Sequence, residues 1–248
     1  GLSSLAQALR ALHQPGAIDD ADLAAWNAAR TPHHARLAFE EFFLLELALF
    51  RRRVEDQGVQ AEALRADGDP LVRARQAFGF ALTAAQERAS REIFADLASE
   101  RPMRRLLQGD VGCGKTAVAL LAAARCVASS AQVAFMAPTE VLAEQHFRSL
   151  APLSQALGLR ACLMLGGERA SHRAKARKQL AEGKIDLVVG THALLSECVR
   201  FARLRLVIID EQHRFGVEQR LRLQDKAESQ IAPHLLVMTA TPIPRTLT

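Results

Sequence analysis

The sequence predicts a doubly wound α/β fold with a mostly parallel sheet, preceded by a helical segment. After Pro70, short aliphatic runs alternate with helical stretches, a rhythm typical of parallel strands joined by right-handed crossovers. The predicted strands lie at 105–108, 133–137, 161–165, 185–190, 206–210 and 235–239. At 248 residues, the chain is long enough for one such domain and an appendage.

Residues 1–75 are predicted to form the helical segment, and residues 76–248 the α/β domain. Within the segment, helices are expected over 19–30 and 33–57, the second with Thr31 as its N-cap and Pro32 at its first position. Apolar residues cover more than one face of the second helix, so it needs neighbours on several sides. Core packing within this chain and docking of another domain would both provide them.

A glycine-rich octapeptide follows the first predicted strand. Its sequence, Gly-Asp-Val-Gly-Cys-Gly-Lys-Thr, fits the phosphate-loop pattern G-x-x-x-x-G-K-[ST], and a helix is expected after it at 117–128. Its glycines let backbone N–H groups face phosphate oxygens, and the helix N-terminus adds positive potential. Lys115 is expected to reach the β- and γ-phosphates, and the Thr116 hydroxyl to ligate Mg²⁺. The nucleotide-binding residues predicted here are Gly109, Asp110, Val111, Gly112, Cys113, Gly114, Lys115 and Thr116.

Two adjacent carboxylates, Asp210 and Glu211, end the aliphatic run 206–210. Such a run suits a strand buried on both faces of a parallel sheet. The carboxylates then emerge at the carboxyl edge, where α/β folds hold their ligands. We expect Asp210 to hold Mg²⁺ through water and Glu211 to orient and deprotonate the attacking water. Together with Lys115 they predict hydrolysis of a nucleoside triphosphate.

Five short motifs follow one another along the chain: 109–116, Ala-Pro-Thr-Glu at 137–140, Gly-Thr-His at 190–192, Asp-Glu-Gln-His at 210–213 and Thr-Ala-Thr at 239–241. Their order and spacing resemble the superfamily 2 helicases, and the resemblance covers roughly residues 76–248. The longer strings at 210–217 and 239–246 resemble the bacterial branch-migration helicases of that superfamily. The transcription-repair coupling factor is similar, but it usually has Glu in place of Gln212 and lacks the acidic residue that Glu140 supplies.

The resemblance implies that Phe80 and Gln86 recognise adenine. A Gln side chain carries a donor and an acceptor that suit the N6 and N7 edge of the base, and the ring of Phe80 would stack on it. An ordinary helix start with a core Phe is the alternative. The expected cofactors are therefore ATP and Mg²⁺.

By motif position, the resemblance also implies residues that contact DNA phosphates and residues that couple ATP to DNA. Short side chains and backbone N–H groups suit sequence-independent phosphate contacts. The DNA-contact candidates are Thr139, Gly166, Gly167, Thr191 and His192, three of which (Thr139, Thr191 and His192) could cap helices instead. The coupling candidates are His213, Thr239 and Thr241.

The activity that the resemblance implies is that of an ATP-dependent DNA helicase remodelling stalled forks and Holliday junctions in recombination and repair. It also implies partners in the same protein: an oligonucleotide-binding-fold wedge domain before the helical segment and a second RecA-like domain after residue 246. That second domain supplies arginine fingers, so the chain alone is expected to be nearly inactive. The alternatives are a duplex translocase of the coupling-factor type and a non-hydrolysing, ATP-dependent scaffold.

Composition agrees with these expectations. Lys and Arg number 32 against 27 Asp and Glu, a mild positive balance that is compatible with a polyanionic partner such as DNA. The four cysteines are dispersed without metal-type pair spacing, which predicts reduced thiols in a cytoplasmic protein. The most apolar stretch, 37–50, is too short and too charged to span a bilayer, so no membrane association is expected.

Overall fold

The computed structural model describes residues 3–16, 20–56, 59–65, 72, 76, 78–167, 170–196, 198–210 and 231–240. The chain divides into two compact units, Gly1–Gly58 and Val59–Thr248.

The first unit contains three helices: α1 (Leu5–His13), α2 (Asp20–Asn27) and α3 (Pro32–Asp56). Ser4 begins α1 with a capping box, because its hydroxyl accepts from the backbone of Gln7 and the Gln7 side chain accepts from the backbone of Ser4. α1 packs along α3, which begins at Pro32 as predicted. The predicted cap is also confirmed, since the Thr31 hydroxyl accepts from the His34 N–H at 3.3 Å.

The apolar side chains of α3 remain exposed. Phe42 is 66% exposed and Phe50 62% exposed, and the six others of this set are between 40% and 54%: Phe39, Phe43, Leu44, Leu45, Leu47 and Leu49. Phe39 and Phe43 stack on each other with their ring centroids 5.7 Å apart. Among the described residues, core packing does not cover these side chains, so of the two alternatives that the sequence leaves open it is the one without support.

The second unit is built on a six-stranded parallel sheet in the order β1-β6-β5-β2-β4-β3. Its strands are β1 (Arg104–Gln108), β2 (Gln132–Met136), β3 (Ala161–Met164), β4 (Leu187–Gly190), β5 (Leu204–Asp210) and β6 (His234–Thr239). Each coincides with a predicted strand to within two residues at either end. The mostly parallel α/β fold is therefore confirmed.

Helices cover both faces of this sheet. They are α4 (Ala84–Leu97), α5 (Lys115–Ala128), α6 (Glu140–Ala156) and α7 (Ala170–Ala181), with a 3₁₀-helix at His192–Leu195. Because successive strand residues point to opposite faces, Phe135 and Ile208 join the core shared with α4, α5 and α6. Their neighbours Ala134 and Val207 join the second core, shared with α7. This two-sided burial defines the doubly wound architecture.

Residues 59–65 form a segment, here called the strap, that packs with the second unit. Its Ala61 and Leu64 N–H groups donate to the carbonyls of Glu100 and Leu97, each at 2.8 Å. Gln60 forms a parallel bridge with Ile231. The compact unit therefore starts at Val59, earlier in the chain than the predicted motor domain at 76.

The strap also contributes to a polar cluster at the amino ends of β5 and β6. The Glu62 carboxylate pairs with Arg203 and with Arg205, the latter at 2.6 Å. His234 is fully buried; its Nδ1 accepts from the Met103 N–H at 3.0 Å, and its Nε2 lies 3.0 Å from the Glu62 carbonyl. Since Nδ1 accepts, the proton is on Nε2 and His234 is neutral.

Candidate functional site

The predicted phosphate loop joins the end of β1 to the start of α5. Two of its glycines, Gly112 at φ +80° and Gly114 at φ +84°, have left-handed backbone conformations that favour glycine. A Cβ on Gly109 would lie 2.7 Å from Cys113 Sγ, and one on Gly114 would lie 2.3 Å from Gln86 Nε2. The loop therefore depends on glycine at three positions for its conformation and its close contacts.

The start of α5 suits an anion. Its N-cap is Gly114, and no side chain among the described residues caps the first N–H groups of the helix. Lys115 begins the helix, and its Nζ donates to the carbonyls of Gly109 at 2.6 Å and Asp110 at 2.8 Å. The ammonium group is thus held across the loop, with the helix N-terminus and Thr116 beside it.

Gln86 connects α4 to this loop. Its Oε1 accepts from the Thr83 N–H at 2.8 Å in the capping box that begins α4, and its Nε2 donates to the Cys113 carbonyl at 2.9 Å. An amide oxygen has two lone pairs and an amide nitrogen two protons, so each atom keeps the capacity for one further bond. Gln86 is therefore fixed at the loop with a donor and an acceptor remaining.

Phe80 lies two residues after a buried phenylalanine. Phe78 belongs to the core, whereas Phe80 is about half exposed and stacks on Phe78 with ring centroids 5.3 Å apart. The alternative of a core residue thus applies to Phe78, and Phe80 presents an accessible aromatic surface.

Asp210 ends β5, and its side chain is 13% exposed. His146 of α6 donates from Nε2 to Asp210 Oδ2 at 2.6 Å and is itself 16% exposed. His146 is not among the site residues predicted from the sequence. A signal was available, because His146 lies three residues after Ala143 and four before Leu150, on the buried stripe of α6. Glu211 and His213 lie outside the described residues.

The loop is also bonded to the end of β6. The Gly109 N–H donates to the Thr239 carbonyl at 3.3 Å, extending the pairing of β1 with β6 by one bond. The Thr239 hydroxyl donates to the Ala240 carbonyl at 3.0 Å. A coupling candidate therefore contacts the first residue of the phosphate loop directly, whereas Thr241 lies outside the described residues.

Two groups of DNA-contact candidates meet at the start of α6. Thr139 is the N-cap of α6, and its hydroxyl accepts from the Leu142 N–H at 3.3 Å. Glu140 reaches the loop after β3, where its Oε1 accepts from the Gly167 N–H at 3.0 Å. A Cβ on Gly166 would lie 3.1 Å from the same oxygen. The Glu140 carboxylate thus accepts the hydrogen bond from a backbone N–H that was predicted to contact a DNA phosphate.

The remaining DNA-contact candidates follow β4. Thr191 is buried, and its hydroxyl has no hydrogen-bond partner among the described residues. It precedes a 3₁₀-helix that begins at the exposed His192. A Cβ on Gly190 would lie 2.4 Å from the Met164 carbonyl, so glycine is required for this close packing. A contact from this segment would therefore use His192 or backbone atoms.

No group of three or more His, Cys, Asp or Glu side chains among the described residues is arranged to hold a metal ion by itself. No helix in the described part of the chain has the length and apolarity needed to cross a membrane.

Comparison with known proteins agrees with this geometry. The family model described as DEAD/DEAH box helicase matches residues 83–248. The ATP-dependent DNA helicase RecG of Escherichia coli (strain K12) is 44% identical over 249 residues, covering 100% of this chain and 36% of that protein. RecG of Bacillus subtilis (strain 168) is 45% identical over 242 residues, covering 97% and 34%.

A solved structure of RecG bound to a three-way DNA junction superposes with a TM-score of 0.74 at 42% identity. It covers 86% of this chain and 28% of that one, and the chain spans about a third of the length of the curated relatives named above. Because the family model covers more than half of its residues, the chain belongs to the DEAD/DEAH box helicase family, and it is similar to RecG over nearly its whole length.

Proposed function

We propose that this chain is the ATP-binding motor domain of a DNA helicase that remodels branched DNA. The observation that carries the proposal is the glycine loop between β1 and α5, with Lys115 across it and Asp210 at the same carboxyl edge of the sheet. The similarity to RecG supports DNA as the polymer acted on.

The described residues fit Mg²⁺ and ATP. Oxygen donors suit Mg²⁺, and the Thr116 hydroxyl and the Asp210 carboxylate supply them. Lys115 would exchange its carbonyl partners in the loop for β- and γ-phosphate oxygens, while the N–H groups at the start of α5 hold the phosphate chain. When bound, Mg²⁺ neutralises the charge that develops on the phosphates. Glu211, which follows Asp210 in sequence, would orient and deprotonate the water.

Adenine recognition is proposed for Phe80 and Gln86. The exposed face of Phe80 would stack on the base, and the remaining donor and acceptor of Gln86 would pair with its N6 and N7 edge. Because Gln86 also holds the Cys113 carbonyl, base recognition would stabilise the phosphate loop in the same step.

DNA contact is proposed at the edge formed by the segments after β2, β3 and β4. These strands are parallel neighbours, so the segments carrying Thr139, Gly166, Gly167 and His192 follow them at one edge of the sheet. Backbone N–H groups would contact phosphates without reading sequence. Thr191 would act through its backbone, since its hydroxyl is buried.

We further propose that the whole protein is longer than this chain, as its relatives are, and that it carries the wedge domain and the second RecA-like motor domain implied by the sequence resemblance. Stimulated hydrolysis would need that second domain for its arginine fingers. The cytoplasm is the proposed location, and the cysteines, none of which forms a disulfide in the described structure, suit a reducing compartment.

Protection of Cys113 from alkylation tests the ATP site, because this thiol is exposed inside the loop. ATP with Mg²⁺ should slow its labelling by iodoacetamide, measured by peptide mass spectrometry. Cys198, which is also exposed, provides an internal control whose labelling rate should not change. Equal Cys113 labelling with and without saturating ATP would contradict the proposal.

Hydrolysis then separates a motor from an ATP-dependent scaffold. In the full-length protein, Glu211→Gln should keep ATP binding while lowering DNA-stimulated turnover by about 10²–10⁴-fold, the usual contribution of a general base. The parent protein should respond more strongly to forked and four-way DNA than to linear DNA. Parental turnover in Glu211→Gln would contradict the role of Glu211, and a full-length parent that binds ATP without DNA-stimulated turnover would favour the scaffold.

A further inference from the structure

His146 is a part-buried side chain that the proposed mechanism does not use. It lies in the middle of α6, and its Nε2 donates to Asp210 Oδ2 at 2.6 Å. Its ring also lies against Phe135 of β2, with centroids 5.0 Å apart. β2 pairs with β5 directly, Phe135 being the partner of Ile208. His146 thus spans from a helix across one strand to the end of the next.

This contact determines how Asp210 can act. One carboxylate oxygen is bonded to His146, which restrains rotation of the carboxylate and leaves its other oxygen available to a further ligand. Groups that hydrogen-bond to metal-binding carboxylates orient them and tune their affinity. We propose that His146 is a positioning residue that fixes the Asp210 carboxylate for Mg²⁺.

The N-terminal end of α6 makes a second contact that bears on this role. The helix begins at Thr139 and Glu140, and Glu140 holds the Gly167 N–H of the loop after β3. α6 therefore carries His146, which bonds to Asp210, and also contacts the loop after β3, where DNA phosphates are predicted to bind. The inference rests on the proposed Mg²⁺·ATP site.

Magnesium dependence of nucleotide binding tests the role. A fluorescent ATP analogue is titrated onto the chain at a series of Mg²⁺ concentrations and in EDTA. His146→Ala should raise the Mg²⁺ concentration needed for half-maximal binding by about 10–100-fold. Affinity in EDTA should stay at the parent value, because the phosphate loop is intact.

Two conservative variants separate positioning from packing. In His146→Gln, the side-chain nitrogen falls close to where Nε2 lies, so the Mg²⁺ requirement should return to within a few-fold of the parent. In His146→Asn, the side chain is one carbon shorter and should not restore it. Because both keep a polar side chain, they test the proposal even if His146→Ala does not fold.

A double-mutant cycle with Asp210→Asn tests whether His146 acts through Asp210. Removing His146 in that background should have no further effect on the Mg²⁺ requirement. Arg148→Ala, on the exposed face of the same helix, is the matched control and should behave as the parent.

The results distinguish the two proposals. An unchanged Mg²⁺ requirement in all three His146 variants would show that His146 only tethers α6 and would overturn the inference. Equal requirements in His146→Gln and His146→Asn would also overturn it. A parent chain that binds no nucleotide would instead overturn the proposed function, and this inference with it.

Discussion

The two edges of the parallel sheet use polar side chains differently. At the amino edge, side chains bond to each other and to fixed backbone: Glu62 pairs with Arg203 and Arg205, and His234 bridges two segments. At the carboxyl edge, one side-chain pair, His146 with Asp210, is present. The other polar side chains there, Lys115, Gln86 and Glu140, bond to backbone groups of loops. Phosphates can replace such bonds, whereas the amino-edge pairs hold the fold. Substitutions at the carboxyl edge should therefore change ligand affinity, and substitutions at the amino edge should change the stability of the fold.

The largest expected effect is on nucleotide affinity. Lys115→Ala removes charge-assisted bonds to the phosphates and should weaken ATP binding by about 100-fold, measured by calorimetry. Its thermal midpoint should stay near that of the parent, because the Lys115 ammonium bonds only to loop carbonyls in the described structure. Lys184→Ala, an exposed lysine paired with Glu182, is the control. Parental ATP affinity in Lys115→Ala would show that this residue of the carboxyl edge does not bind the phosphates.

Next in size is a loss of stability from the amino edge. The hydrogen bonds from Arg203 and Arg205 hold the pKa of Glu62 below its ordinary value of 4.5, against the opposing effect of burial. Because Glu62 and Arg203 are partly exposed, Glu62→Gln should lower the free energy of unfolding by about 1–2 kcal/mol while leaving ATP affinity unchanged. Chemical denaturation measures the first and calorimetry the second. Glu182→Gln, at an exposed carboxylate, should be indistinguishable from the parent. A large loss of ATP affinity in Glu62→Gln would show that the amino edge also affects nucleotide binding and would contradict this prediction.

A smaller effect concerns pH. Burial lowers the pKa of His234 below its ordinary value of 6.5, so the folded state holds this residue neutral. The stability from neutral His234 is complete above pH 6.5 and is lost as the pH falls below it, at no more than about 1.4 kcal/mol per pH unit. His234→Gln keeps a donor and an acceptor without titrating. Denaturation between pH 5.5 and 7.5 should show a shallower slope for this variant; equal slopes would contradict it.

The smallest effect is expected at Glu140. Glu140→Gln removes a negative charge beside the predicted phosphate contact and weakens the bond to the Gly167 N–H. DNA binding should tighten by about two- to five-fold at low salt, as expected for one exposed charge. Fluorescence anisotropy at two salt concentrations measures the change, which should shrink at high salt. Glu144→Gln, on the same helix and paired with Arg148, is the control. Weaker binding in Glu140→Gln would argue against this role.

The strands and the phosphate loop were predictable because their signals are local. An aliphatic run such as 206–210 and the glycine spacing of 109–116 are read directly from the sequence. The hydrogen bond between His146 and Asp210 was not predictable, because the two residues are 64 positions apart and meet only when β5 pairs with β2. The contact of Glu62 with His234 spans 172 positions.

The surroundings of α3 could not be predicted for a different reason. Its apolar pattern correctly predicted a helix, and Thr31 and Pro32 correctly predicted its start. An apolar pattern indicates that a helix face can be buried, but it does not indicate which residues or which domain cover that face. The exposure of Phe42 and Phe50 could therefore not be read from sequence.

The position of β1 has a consequence for biosynthesis. β1 is an edge strand of the described sheet and pairs with β6, which is far along the chain; Met103 and His234, at the amino ends of this pair, are 131 positions apart. As a ribosome releases the chain from its N-terminus, β2, β3, β4 and β5 can assemble while β1 still lacks its neighbour. Closing so long a loop is slow. The phosphate loop, anchored by the Gly109 bond to Thr239, is therefore among the last parts of the sheet edge to be organised.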